Sequence, residues 1–308
     1  MENVTTGFAS APPLPPWLQA EFPYQRRLFY NGRYAIHFVD DGSGPVVVLQ
    51  HGNPTWSYLW RKVIGILVKG GVRVVAPDLV GLGLSNKPHD ARLHTLSFHA
   101  DQIEALVKAL ALKEMTIVGQ DWGGPIIGLV AARNPEPVRG VVFANTSVIR
   151  PRRLLRLPAF NRFANLPVLS DLAFRLLNFP IALLPLVQAD RSTIGSRELR
   201  AYGYPLRTFQ DRVAPLALAR MMPTSLDHPT IQSLKPIEDW ARSFKGPVRL
   251  VWGMKDPIFG QALQSMKWLF RKAKVEVVET QAGHFLQEEV PHVLAQAILQ
   301  VVSENRQQ

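Results

Sequence analysis

Three side chains with complementary chemistry follow apolar runs in this sequence. Asp121 comes after Met-Thr-Ile-Val-Gly-Gln (115–120). Asp256 follows Val-Arg-Leu-Val-Trp-Gly-Met-Lys (248–255). His284 follows Val-Glu-Val-Val-Glu-Thr-Gln-Ala-Gly (275–283). A carboxylate is already anionic at neutral pH and needs no base to attack an electrophilic carbon. Attack at a saturated carbon, or opening of a strained ring, leaves an ester. An imidazole can activate water against that ester, and a second carboxylate can orient the imidazole. In chain order the set reads nucleophile, acid, base. With aspartate first, ordinary serine-esterase chemistry is not expected.

For these groups to meet, each must stand at the carboxyl end of a strand in one open sheet, where those ends line a common crevice. The pattern supplies such strands. Apolar runs at 46–50, 72–76, 115–118, 140–144, 248–252 and 275–278 alternate with helical segments near 60–68, 95–110, 125–133, 261–271 and 291–303. The runs are largely apolar rather than alternating, which marks a parallel sheet covered on both faces. The second helix carries Ile103, Leu106, Val107 and Leu110 in i, i+3, i+4, i+7 spacing. Residues 26–41 read as two strands around a turn at Asn31-Gly32. The expected fold class is α/β, a mostly parallel eight-stranded sheet with helices on both faces and an inserted helical cap. The expected organisation is an N-terminal arm at 1–25, a core at 26–148 and 230–308, and the cap at 149–229.

Gly119-Gln120-Asp121-Trp122-Gly123 resembles the nucleophile elbow of α/β-hydrolases with Asp in the place of Ser. The glycines let strand and helix approach closely. Nucleophile, acid, histidine is also the α/β-hydrolase order. His51-Gly52-Asn53-Pro54 resembles the turn where that fold places half of its oxyanion hole. The backbone N–H groups of Asn53 and Trp122 would stabilise an oxyanion. Asp78 also ends a strand but lies in a loop expected to pack beside the site, so it reads as structural.

The leaving group sets the substrate class. A halide needs no proton but needs N–H donors to hold it. The Trp122 indole and the Asn53 side-chain amide would offer them, both facing the pocket. An epoxide oxygen needs a proton donor, for which the cap holds Tyr202 and Tyr204. Taken together, 51–61, Asp121-Trp122-Gly123-Gly124, Gly253-Met254-Lys255-Asp256 and Gly283-His284 resemble a haloalkane dehalogenase over nearly the whole chain. The resemblance implies Asp121 as nucleophile, His284 as base, Asp256 as third member, and Asn53 and Trp122 as halide holders. Some relatives carry their acid after the sixth strand. Here that region reads Phe143-Ala144-Asn145-Thr146-Ser147, with no acid. Between Trp122 and Trp240 there is no tryptophan to serve as a halide donor from the cap. The same branch includes enzymes that decarboxylate β-lactones to long-chain alkenes, so that reaction is the first alternative. Epoxide hydrolysis is a weaker one. No metal or organic cofactor is expected.

The chain has 308 residues, 47% of them hydrophobic, enough for a large core. It has no cysteine, which removes disulfides, thiolate metal sites and a Cys nucleophile. No run of about 18 apolar residues reads as a membrane span. The N-terminus, rich in Pro and Ala, lacks a signal-peptide core, so a cytoplasmic location is expected. Net charge is +11, which draws a protein to anionic surfaces. No nucleic-acid motif accompanies it. The charge bias is strong in the cap, where Pro151 to Pro229 holds eleven Arg, no Lys and five acids. The expected ligand is a small apolar halogenated or long-chain substrate. The Arg-rich cap also suggests docking on a membrane surface or a protein partner.

Overall fold

The computed structural model describes residues 6–153 and 159–306. Among these residues nine strands form one sheet in the order β1-β2-β3-β5-β4-β6-β7-β8-β9. They are β1 Gly7–Ser10, β2 Arg26–Asn31, β3 Tyr34–Asp41, β4 Val46–Gln50, β5 Arg73–Pro77, β6 Met115–Gln120, β7 Val138–Ala144, β8 Pro247–Gly253 and β9 Lys274–Thr280. From β5 to β9 every neighbour is parallel, while β1, β2 and β3 join in antiparallel fashion at one edge.

Successive side chains of a strand point to opposite faces, and this explains the largely apolar runs. In β4, Val48 packs on one face of the sheet, Val47 and Leu49 on the other. In β7, Val141 and Phe143 go one way, Val142 and Ala144 the other. Helices α3 Leu96–Ala109, α4 Gly123–Arg133 and α10 Pro229–Ser243 cover the first face, and α2 Arg61–Lys69 and the C-terminal helix Pro291–Asn305 the second. Between β7 and α10 the described chain contains no strand. Its helices are α5 Ala159–Ala164, α6 Leu169–Asp171 running into a π-helical turn at Leu172–Leu176, α7 Phe179–Ala182, α8 Ser196–Gly203 and α9 Val213–Arg220.

The ninth strand corrects the expected eight, and it comes from the N-terminal arm, which was expected to lie outside the core. Gly7–Ser10 pairs with β2. The short helix α1 Pro16–Gln19 follows, and Leu14, Leu18 and Phe22 are buried against the second face. Burial of these three side chains anchors the segment to the core. Glu21 then accepts both the Tyr58 hydroxyl and the Arg197 guanidinium, tying the arm to the core and to α8.

Asp78, read as structural from sequence, holds the loops that frame the crevice. It is fully buried and accepts the N–H groups of Ser57 at 2.7 Å and Leu84 at 2.8 Å. The His37 Nδ1 lies 2.8 Å from it. Burial opposes its charge, yet His37, His51 and the Leu84 N–H hold its carboxyl down at about 2. Its stabilising contribution is therefore complete above an unfolded value near ~4 and is lost as pH falls toward about 2. Asp78→Asn has one acceptor oxygen for these donors. We expect a loss of about 3 kcal/mol at neutral pH, read as a Tm lower by roughly 5–10 °C. An unchanged Tm would show that the anchor is dispensable.

Candidate active site

β6 turns into α4 at Asp121, whose φ is +51°. A residue with a Cβ keeps that conformation only where its surroundings hold it. Here the Asp121 N–H donates to the Asn145 carbonyl at 3.1 Å, and the Thr146 hydroxyl donates to the Asp121 carbonyl at 2.6 Å. Strand and helix also pack too closely for side chains. A Cβ on Gly119 would sit 2.7 Å from the Gly124 Cα, and one on Gly52 would sit 2.6 Å from the Asp121 Cβ. The glycines of the motif are what let the carboxylate stand where it does.

The two oxygens of that carboxylate face different partners. Oδ1 accepts the Asn53 N–H at 2.7 Å, and the nearby Trp122 N–H also favours the charged carboxylate. Oδ2 lies 3.7 Å from His284 Nε2. On the other side of the ring, His284 Nδ1 lies 2.9 Å from Asp256 Oδ2. A carboxylate can only accept, so the Nδ1 proton points to Asp256 and Nε2 presents a lone pair. Asp256 is itself fixed, since its Oδ1 accepts the Ile258 N–H at 2.7 Å. The residues singled out at three strand ends are thus brought together in one chain of contacts.

Burial pushes the Asp121 carboxyl above the usual carboxylate range, although His284 and the two N–H donors pull the other way. Burial likewise disfavours the charged form of His284, but the Asp256 and Asp121 carboxylates outweigh it and hold the imidazole above its ordinary value. One buried cation between two carboxylates is the arrangement that favours imidazolium when a proton arrives.

A cavity of about 370 Å³ opens above Asp121 and Trp122. Its walls are chiefly apolar, among them Pro125, Ile231, Leu234 and Phe259, with Arg153 at the rim. The Asn53 side chain is placed differently from expectation. Its amide donates to the Pro215 carbonyl of α9 at 2.9 Å, and its Oδ1 is buried without a partner among the described residues. The close approach of α9 reaches the amide before the cavity does. The tyrosines expected as epoxide proton donors also lie elsewhere. The Tyr202 hydroxyl donates to Glu288 at 2.6 Å, and Tyr204 packs edge-on against Trp17. Both are drawn to the arm side of the fold, Tyr202 by the buried Arg61–Glu288 pair.

Two residues that sequence reasoning passed over complete the site. Asn145, with φ of +37°, accepts the Gly253 N–H at 2.8 Å and donates to the Gly283 carbonyl at 2.8 Å. One side chain thus sets the spacing between the loops that carry Asp256 and His284. Gln120 donates to the His284 carbonyl at 3.2 Å, with the same nitrogen 3.1 Å from His284 Nε2. The only sequence signal for either was a polar residue at the end of an apolar strand. Among the described residues no group of three or more His, Asp and Glu side chains could hold a metal ion.

A strand-end acid, His and Asp with an N–H pair at the elbow, on a mostly parallel sheet, define a hydrolase of the α/β-hydrolase fold. A family model described as "alpha/beta hydrolase fold" matches residues 45–291. Haloalkane dehalogenase 2 of Mycobacterium tuberculosis is 33% identical over 286 residues, covering 91% of this chain and 95% of that protein. The cis-3-alkyl-4-alkyloxetan-2-one decarboxylase of Shewanella oneidensis is 29% identical, covering 88% of this chain and 86% of its own length. The crystal structure of the haloalkane dehalogenase DatA from Agrobacterium tumefaciens C58 superposes with a TM-score of 0.81 at 29% identity, over 91% of this chain and 97% of that one. The chain belongs to the haloalkane dehalogenase family of α/β-hydrolases.

Proposed function

We propose that this protein is a haloalkane dehalogenase working through an ester on Asp121. The observation that carries the reading is the division of labour within one carboxylate. Oδ1 is held by the Asn53 backbone N–H, and Oδ2 lies toward His284, on a residue that lines the cavity. Oδ2 attacks the carbon bearing the halogen, the carbon–halogen bond breaks, and the halide leaves with its electron pair beside the Trp122 indole. His284 Nε2 then takes a proton from water, and the hydroxide adds to Cγ of the ester. The charge that develops on Oδ1 falls on the Asn53 and Trp122 N–H groups. Collapse expels the alkoxide, which takes the proton from the imidazolium, and the carboxylic acid loses its own proton to solvent. Oxygen from water thus ends on Asp121. His284 must be neutral to act, and its ordinary value is raised. The hydrolytic step should therefore fail on the acid side as His284 takes up a proton, and in the ester, where Asp121 is uncharged, Asp256 is the carboxylate that favours that uptake.

The test is halide release from 1,2-dibromoethane and 1-bromohexane, beside Asp121→Ala. Turnover on the order of ~1 s⁻¹ is expected, with none above background in the variant. A folded wild-type protein that releases no halide would refute the proposal.

A second reading, decarboxylation of a long-chain β-lactone, is favoured by the Asn53 amide being engaged by Pro215. One of the two N–H donors of that amide is thereby used, which weakens the pair expected to hold a halide. The cavity walls would suit alkyl chains. Alkene formed from a dialkyl β-lactone, in protein that leaves bromohexane intact, would establish it.

A further inference from the structure

Among the described residues the helical insertion carries an apolar face exposed to solvent. Leu166, Val168, Leu169, Leu172, Leu176 and Leu177 are each between 47% and 72% exposed. Within the helical stretch the outward set is Leu169, Leu172 and Leu176, at i, i+3 and i+7. The inward set is Ser170 and Phe174, at i and i+4. Phe174 is fully buried against Ala164, Leu216 and Ala219 and anchors the segment. The helix is therefore apolar on both sides, one toward the protein and one toward solvent. Scattered exposed leucines need no explanation, but a contiguous stripe of this kind marks an interaction surface.

The stripe's charge surroundings select its occupant. Arg162 lies exposed one turn before Leu166, and Arg175 stacks on the exposed Phe209 ring at 3.9 Å. Arg212 bridges the Leu176 carbonyl at 2.9 Å and the Arg207 carbonyl at 3.0 Å, so the exposed Arg207 borders the same face. The acid within the segment, Asp171, is paired with Arg220 at 3.0 Å. A stripe of leucines bordered by arginines, on a protein of net charge +11, is complementary to a surface that is anionic at its headgroups and apolar just beneath. A second copy of the chain would bring like charges together. Among the described residues no helix is long and apolar enough to cross a membrane, so the contact would be peripheral.

We propose that this face docks the protein on anionic lipid bilayers. The test is co-sedimentation of the full-length protein with vesicles of phosphatidylcholine alone and with phosphatidylglycerol added, in low and high salt. The expected result is binding to the anionic vesicles only, weakened by salt. Leu172→Asp/Leu176→Asp should reduce it at least about tenfold, and Arg162→Glu/Arg207→Glu should remove its salt dependence. The substituted side chains are exposed, and an unchanged Tm would show that the fold is retained. Several results would each overturn the proposal. These are no binding at low salt, equal binding by the leucine variant, or a wild-type dimer that the leucine variant dissociates. Dimerisation would assign the face to a second copy.

Discussion

His284→Gln should release about one equivalent of bromide per protein from 1-bromohexane and then stop. In the wild-type site the carboxylate that attacks and the ring that hydrolyses are separate groups, 3.7 Å apart at Oδ2 and Nε2. Halide displacement asks nothing of the imidazole as a base, since the nucleophile is already ionised. Ester hydrolysis asks everything of it, because neutral water is a poor nucleophile toward a carboxylic ester. An amide side chain cannot take that proton. The expected steady-state loss is about 10³–10⁴-fold, while single-turnover bromide release survives. Intact-mass spectrometry should show a hexyl group added to the protein, and peptide mapping should place it on Asp121. Slow release with no adduct would mean that His284 acts before the ester forms, or that no ester forms.

The chemistry of this site was legible because each of its principal residues sits in a short motif at a strand end. Gly-x-Asp-x-Gly, His-Gly-Asn-Pro and Gly-His carry their geometry locally: the glycines around Asp121 mark where backbones must touch. Asn145 was not legible, because its role consists of two hydrogen bonds to loops more than a hundred residues away. The segment it lies in was read for a missing acid, whereas what stands there is a spacer. The position of the Asn53 amide was hidden for a similar reason: it depends on where α9 comes to rest. In the arm, four residues of edge strand are too few to show alternation. The anchoring leucines lie among prolines that mask their spacing. The insertion was legible as helical and Arg-rich, but composition does not separate Phe174, which is buried, from Leu176, which is not.

Asp256→Asn should be almost as damaging as loss of the histidine, although it changes one atom. The two oxygens of Asp256 have opposite neighbours. Oδ1 accepts the Ile258 N–H at 2.7 Å, and Oδ2 accepts from His284 Nδ1 at 2.9 Å. An asparagine must place its oxygen toward Ile258, because that backbone group can only donate. Its NH₂ then faces His284 and donates to Nδ1. The ring responds by moving its proton to Nε2, the atom that has to accept one from water. Burial is unchanged, so the imidazole also loses the carboxylate that most favours its charged form. Both effects act on the hydrolytic step. The expected result is a fall in kcat of about 10³–10⁴-fold, the size associated with a wrong tautomer in a related triad. Bromide should still appear in a single turnover at near wild-type rate, and the ester should accumulate. The small residual activity should have its acid limb at lower pH than the wild type, because a carboxylate that raised the His284 value is gone. Full turnover in Asp256→Asn would mean that another group orients the ring. Among the described contacts the candidate is Gln120, whose amide already lies 3.1 Å from Nε2. Combining Asp256→Asn with Gln120→Ala would then decide between them.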